Sequence, residues 1–131
     1  VTEFVEALEK VMISIAGHWG LSARGNEAAR GAWIGDRKIG SVGLRVRRKV
    51  SYHGLALNVD LDLAPFSWIT PCGLSGIEMT SIARETGGTV PMSEAICAAK
   101  EQFSRVFNVR LEPVAGCSRF KVQGSRFKVK G

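Results

Sequence analysis

Two runs of alternating apolar and polar residues, joined by a short polar stretch, constrain this chain more than any other feature in it. Val42, Leu44 and Val46 alternate with Gly43, Arg45 and Arg47, and Leu55, Leu57, Val59 and Leu61 alternate with Ala56, Asn58 and Asp60. A period of two sends successive side chains to opposite faces, so each run reads as a half-buried strand. The turn-prone residues from Lys49 to Gly54 allow an antiparallel pair. That pairing carries Lys38, at the head of the first strand, towards Cys72, just beyond the second. A thiol is only a few per cent ionised at neutral pH, and a neighbouring ammonium favours the nucleophilic thiolate. Cys72 lies between Pro71 and Gly73 on a loop, an accessible place for a nucleophile. By spacing alone, Cys72 reads first as a small buried residue and Lys38 as an ordinary solvated lysine after a turn.

The remaining chain supplies elements to cover this pair. Val1 to Gly17 reads as a helix, with Thr2 as cap, Phe4, Leu8, Val11, Met12 and Ile15 at helical spacing, and Gly17 and Gly20 ending it. His18 is expected near the helix dipole and Trp19 in the core. Leu21 to Arg24 reads as a short strand and Gly25 to Arg30 as a polar loop. Ala32 to Ile34 forms another apolar run, and a two-residue turn at Gly35-Asp36 makes Trp33-Ile34 and Lys38-Ile39 neighbours across a hairpin. Leu63 to Ile69 reads as a helical turn with Pro65 at its start. Ile77 to Ile82 reads as either a strand or a short helix, and Gly87, Gly88 and Pro91 mark a loop. Ser93 to Phe107 is the second helix, capped by Ser93, with Ile96, Phe103, Val106 and Phe107 on one face and Cys97 as a small buried residue.

Charge and cysteine content narrow the function classes. Residues 1–99 hold ten Lys/Arg against ten Asp/Glu, and residues 100–131 hold eight against two. The tail therefore carries the whole excess of +6. Arg45, Arg47, Arg48 and Lys49 form a second positive cluster, and both clusters favour acidic partners. Three cysteines without a C-x-x-C spacing argue against a disulfide framework and a zinc site and favour a reducing compartment. His18 and His53 are too few and too scattered for a metal cluster. No apolar run approaches the ~18 residues of a membrane span. VTEFVEALEK carries acids where an export signal carries bases, and with no initiator Met the chain reads as a piece of a longer protein.

Read in order, KIGSVGLRVRR, YHGLALNVDLD and PCGLSGIEMTSI closely resemble the lipoyl(octanoyl) transferases, the acyl-carrier-protein:protein transferases of lipoate biosynthesis. The likeness runs from about Val1 to Ile82. It implies an α/β (α+β) fold like that of biotin and lipoate protein ligases, a mixed sheet with flanking helices, incomplete at the amino terminus. In that family the cysteine of Pro-Cys-Gly carries the acyl group as a thioester and the lysine of Lys-Ile-x-Ser-x-Gly lowers its pKa, which implies Cys72 and Lys38 as catalytic residues. The family's acyl-pocket backbone falls on Ser41, Val42, Gly43, Gly54, Leu55 and Ala56. His53 is not implied as a base and reads as a hydrogen-bonded strand histidine.

The resemblance further implies octanoyl-acyl carrier protein as donor, and as acceptors the lipoyl domains of 2-oxoacid dehydrogenases and the glycine cleavage H protein. No cofactor and no metal is implied, since thioester to amide runs downhill. Neither nucleic acid nor membrane is an implied partner, and the location implied is cytoplasmic, or alternatively mitochondrial. The family also carries an earlier segment with Arg-Gly-Gly and His-Gly-Pro-Gly-Gln that lines the pocket, absent from these residues. Residues 1–117 are expected to form the catalytic part. Residues 118–131, the repeat SRFKVQG and SRFKVKG, are expected to form a basic tail, either strand-like or unpaired. A non-catalytic remnant binding acyl carrier or lipoyl domains is the second reading. A nucleic-acid module built on residues 119–130 is the weakest, with only Phe120 and Phe127 as stacking surfaces.

Overall fold

The computed structural model describes residues 2–69, 76–113 and 120–123. Helix α1, Thr2–His18, presents Leu8, Val11, Met12 and Ile15 to the core as its spacing predicts. It runs one residue past Gly17, and Gly20 turns the chain with a positive φ. Strands β1 (Arg24–Gly25), β2 (Gly31–Ile34), β3 (Arg37–Arg47) and β4 (Val50–Leu57) follow in order across an antiparallel sheet. A 3-10 helix, Ala64–Trp68, forms where a helical turn was expected, with Pro65 in its first turn. Strand β5 (Glu78–Met79) leads into α2 (Ile82–Thr86), so the 77–82 segment supplies both a strand and a helix start. Helix α3, Met92–Phe107, is followed by β6 (Arg110–Pro113) and β7 (Phe120–Gln123), which pair antiparallel in a separate two-stranded sheet.

The two-residue turn at Gly35-Asp36 sets Trp33 opposite Lys38 and Ile34 opposite Arg37. The register then shifts, because Ala32 pairs with Gly40 and leaves Ile39 as an extra residue on β3. Such a bulge bends a strand and re-aims its side chains. The β3–β4 pair is the longest in the sheet, running from Gly40↔Leu57 to Arg47↔Val50.

Two expectations about this hairpin are corrected. The turn is Arg48-Lys49, both at positive φ, rather than Lys49 to Gly54. A two-residue turn with that hand matches the twist of the flanking strands, so pairing continues to the tip. The second strand also stops at Leu57, although alternation continues to Leu61. Asn58 N–H donates to Ile39 O at 2.9 Å and the Asn58 amide donates to Thr80 O at 3.0 Å. The carbonyls of Asn58 and Val59 then accept from Ile82 and Ala83, tying the strand end to the first turn of α2. Leu61 is left exposed.

Strand β5 pairs parallel to β3 at Arg37↔Glu78 and Lys38↔Met79, which makes the sheet mixed. Since β2 occupies one side of β3, β4 and β5 lie end to end along the other. Helix α1 packs over the sheet, and α3 packs against α1. Gly40 permits the closest approach, since a Cβ there would stand 2.5 Å from Met12 Sδ. Phe107 of α3 meets Phe4 edge-on at 5.7 Å and stacks on Phe103 at 4.5 Å, closing the helix pair.

Helix α3 departs from expectation in three details. Pro91, not Ser93, is its N-cap, with no side-chain cap, and the Pro91 carbonyl accepts from Glu94 and Ala95. Of the expected face only Ile96 is exposed: Phe107 is in the core with Phe103 and Val106 packed against it, and Ala95 and Ala98 are buried in place of Ile96. Cys97 is exposed rather than buried, because it lies on the same outward arc as Ile96. His18 sits in the last turn of α1, 3.3 Å from Glu94 of α3 and edge-on to Trp19, which is half-buried. No helix among the described residues is long and apolar enough to cross a membrane.

Candidate active site

Lys38 is the largest fully buried side chain of the described residues, at 1% exposure. The reading of a solvated lysine is thereby set aside. Its burial follows from the hairpin: facing residues of an antiparallel pair share a face, so Lys38 packs on Trp33. The Lys38 Nζ lies 5.5 Å from the Trp33 ring centroid, within the range of a cation–π contact. Trp33 is itself buried, and its indole N–H donates to Ala29 O at 2.9 Å, which fixes the ring plane.

The lysine stem runs past Gly31. A Cβ on Gly31 would lie 2.8 Å from Lys38 Cε and collide with the Gly40 carbonyl, and the Gly31 φ of +146° is one that other residues rarely adopt. Gly31 N–H donates to Glu9 Oε1 at 2.9 Å, and Arg30 reaches Glu9 Oε2 at 3.3 Å. Glu9, buried at 5%, thus anchors the start of β2 from α1. These supporting residues were not singled out in the sequence. Glu9 was visible in principle, since it shares a helix face with Met12 and Ala16 at i+3 and i+7.

The other flank of Lys38 is held by β5 and α2. Thr80 N–H donates to Lys38 O at 2.9 Å. Arg37 makes a bidentate pair with Glu85 at 2.7 and 2.9 Å, and the buried Thr80 hydroxyl donates to Glu85 at 2.6 Å. Arg37 holds the Glu85 carboxyl below the usual carboxylate range; partial burial opposes this and the Thr80 hydroxyl adds to it.

The six residues expected to line a pocket do meet. Ser41, Val42 and Gly43 of β3 and Gly54, Leu55 and Ala56 of β4 are register partners, and with His53 they line an open depression of about 550 Å³. A second, apolar cavity of about 430 Å³ shares His53, Gly54 and Leu55 and is walled by Phe4, Leu8 and Phe103. His53 is on β4 as expected, but it is exposed and has φ +69°. A non-glycine residue there costs on the order of 1–2 kcal/mol, so the depression carries local backbone strain. Cys72, in the 70–75 segment, lies outside the described residues, as does Cys117.

Residues 1–104 match the family model for the lipoyl protein ligase A/B catalytic domain. The chain is similar to the mitochondrial octanoyltransferase LIP2 of Arabidopsis thaliana, 47% identical over 94 residues that cover 71% of this chain and 40% of that protein. It is 44% identical over 108 residues to the octanoyltransferase of Desulfovibrio desulfuricans, covering 82% and 46%. With the octanoyltransferase of Coxiella burnetii it shares 52% over 79 residues, covering 60% and 33%. The chain spans less than half the length of these curated relatives.

Proposed function

The chain belongs to the lipoyl protein ligase A/B catalytic domain family, and from that premise we propose that it serves octanoyl transfer in lipoate biosynthesis, with Cys72 as the acyl carrier and Lys38 as its proton partner. The donor is octanoyl-acyl carrier protein, and the acceptor is a lysine of a lipoyl-dependent enzyme domain. The observation that carries the reading is the burial of Lys38 under Trp33 beside β5. A buried amine costs desolvation that an apolar residue avoids, and such groups cluster at functional sites. Chain connectivity permits the thiol to reach it: Cys72 stands seven positions before Met79, the register partner of Lys38, at most about 25 Å of extended chain.

In the first step the Cys72 thiolate attacks the thioester carbonyl. The carrier's sulfur departs with a proton from the Lys38 ammonium, leaving an acyl-enzyme and a neutral amine. In the second, the neutral acceptor amine attacks the acyl-enzyme, Lys38 takes the excess proton, and the Cys72 thiolate leaves. The thiolate–ammonium pair is restored and the product is an amide. The open depression, within the roughly 300–1,000 Å³ typical of ligand sites, takes the acyl chain. Glycines at 43 and 54 let the chain lie against the backbone.

Incubation with octanoyl-loaded carrier protein, followed by intact mass and peptide mapping, tests this. An octanoyl adduct on Cys72 is expected, and its absence from Cys72→Ser. Carrier binding without any adduct favours instead a non-catalytic binding role. Residues 118–131 are assigned as a basic appendage to the catalytic part, although β7 within them pairs with β6.

A further inference from the structure

The β3–β4 hairpin changes character beyond the depression. Past the Gly43↔Gly54 pair, Arg45 faces Tyr52 and Arg47 faces Val50, and the turn is Arg48-Lys49. All six of these residues are exposed, Val50 at 55% and Tyr52 at 48%. Four cations thus share one hairpin tip with two exposed apolar side chains. No Asp or Glu occurs between Asp36 and Asp60. Among the described residues, the ion-paired carboxylates Glu9, Glu78, Glu85, Glu94 and Glu101 are engaged by Arg30, Arg84, Arg37, His18 and Arg105, not by the hairpin. Packing does not require these charges, since Leu44 and Val46 point to the other face. Like charges this close repel one another, so the cluster weakens the isolated hairpin.

We infer that this face of the hairpin is the docking surface for an acidic carrier domain, which delivers the acyl thioester to the adjacent depression. The choice of a carrier as occupant rests on the transferase reading above. Two features favour a protein over a nucleic acid. The cations surround the exposed apolar pair Val50 and Tyr52, as in a protein interface with a polar rim, whereas a single aromatic makes a poor base-stacking platform. The patch also adjoins the acyl site: Arg45 is two residues from Gly43, roughly 7 Å along the strand. A carrier bound here presents its tethered thioester beside the depression without further travel.

The test is binding of labelled octanoyl-acyl carrier protein to the 131-residue chain, by fluorescence anisotropy at low and moderate salt. Arg48→Asn with Lys49→Gly removes two charges while placing preferred residues in the positive-φ turn. Arg45→Gln with Arg47→Gln removes the others from exposed positions. Each pair is expected to weaken binding about threefold, and all four together about tenfold or more with a flatter salt dependence. Arg45→Lys with Arg47→Lys retains most of the affinity. Unchanged binding by the fourfold variant overturns the inference. So does a larger loss on neutralising Arg126, Lys128 and Lys130 of the tail, or a hairpin-dependent affinity for duplex DNA that exceeds that for the carrier. Octanoyl-N-acetylcysteamine, a small neutral thioester, separates this inference from the transferase reading. If it fails to acylate Cys72 while the carrier still binds through the hairpin, transfer is refuted and docking stands. If it acylates Cys72 while carrier binding ignores the hairpin, docking is refuted and transfer stands.

Discussion

The two ends of β3 are built on opposite principles. From Lys38 to Gly40 the strand is buried, flanked by β2 and β5, with α1 against Gly40. From Arg45 to Arg47 it has one neighbour, β4, and its outward face is charged and wet. At the inner end even polar groups are placed by several simultaneous constraints: Lys38 by Trp33, Gly31 and the Thr80 hydrogen bond, and Glu9 by Gly31 and Arg30. At the outer end the charges are held only by the strand that bears them. The inner end is therefore held rigidly, as the proton transfer proposed for Lys38 requires, and the outer end keeps its charges free of the ion-paired carboxylates among the described residues.

Gly31→Ala should be the most damaging single change. Its methyl collides with Gly40 O and the lysine stem at a φ that alanine resists. A loss of about 3 kcal/mol or more is expected in urea unfolding. Wild-type stability in this variant would mean that the inner end of β3 is not closely packed.

Glu9→Ala leaves the buried Gly31 N–H without its acceptor and should cost roughly 1–3 kcal/mol. Glu9→Gln keeps the acceptor and loses only the charge facing Arg30, so its loss should be smaller. Equal losses in the two variants would assign the effect to the ion pair instead.

Lys38→Ala should move the pH at which alkylation of Cys72 reaches half its maximum upwards, with little difference well above pH 9, where the thiol ionises unaided. Lys38→Arg should preserve much of the charge effect and abolish transfer to the acceptor amine, because guanidinium does not give up its proton. Since Cys97 is exposed, labelling must be mapped by peptide or run in a Cys97→Ser background. Superimposable alkylation profiles for parent and both variants would separate Lys38 from the thiol.

The pair that ties Arg37 to α2 gives an acid-side signature. Glu85 titrates below its ordinary value of 4.5 when folded, so its contribution is fully present above that value and is lost as pH falls through the depressed one. Parent protein should therefore lose more stability on acidification below pH 4.5 than Arg37→Gln, in which the Glu85 carboxyl has lost its main stabilising partner. Parallel stability–pH curves would contradict this.

At the outer end, Arg48→Asn with Lys49→Gly should leave stability unchanged or raise it by about 1 kcal/mol, since both positions hold positive φ. A large loss there would show that the charged tip is structural after all.

Local patterns legible in the sequence account for much of the fold. A period of two marked β3 and β4, helical spacing marked the buried faces of α1, and Gly35-Asp36 set Trp33 across from Lys38. These signals are local because side-chain direction follows from backbone geometry a few residues either way. Alternation did not mark where β4 ends, because it persists through Val59 and Leu61. The strand stops where Asn58 finds Ile39 and Thr80, partners 19 and 22 residues away in sequence. Burial of Lys38 was likewise invisible. A lysine after a turn is ordinarily solvated, and only β2, β5 and the Trp33 ring packed around it exclude water from its surroundings. Cys97 and Ile96 erred the opposite way: their helix has an apolar face, but which arc meets α1 depends on Phe4 receiving Phe107. The sequence alone determined the types of α1, β3, β4 and α3 and the residues that carry the family likeness. Tertiary structure alone decided which polar groups leave water, because desolvation depends on everything packed around a group and not on its neighbours along the chain.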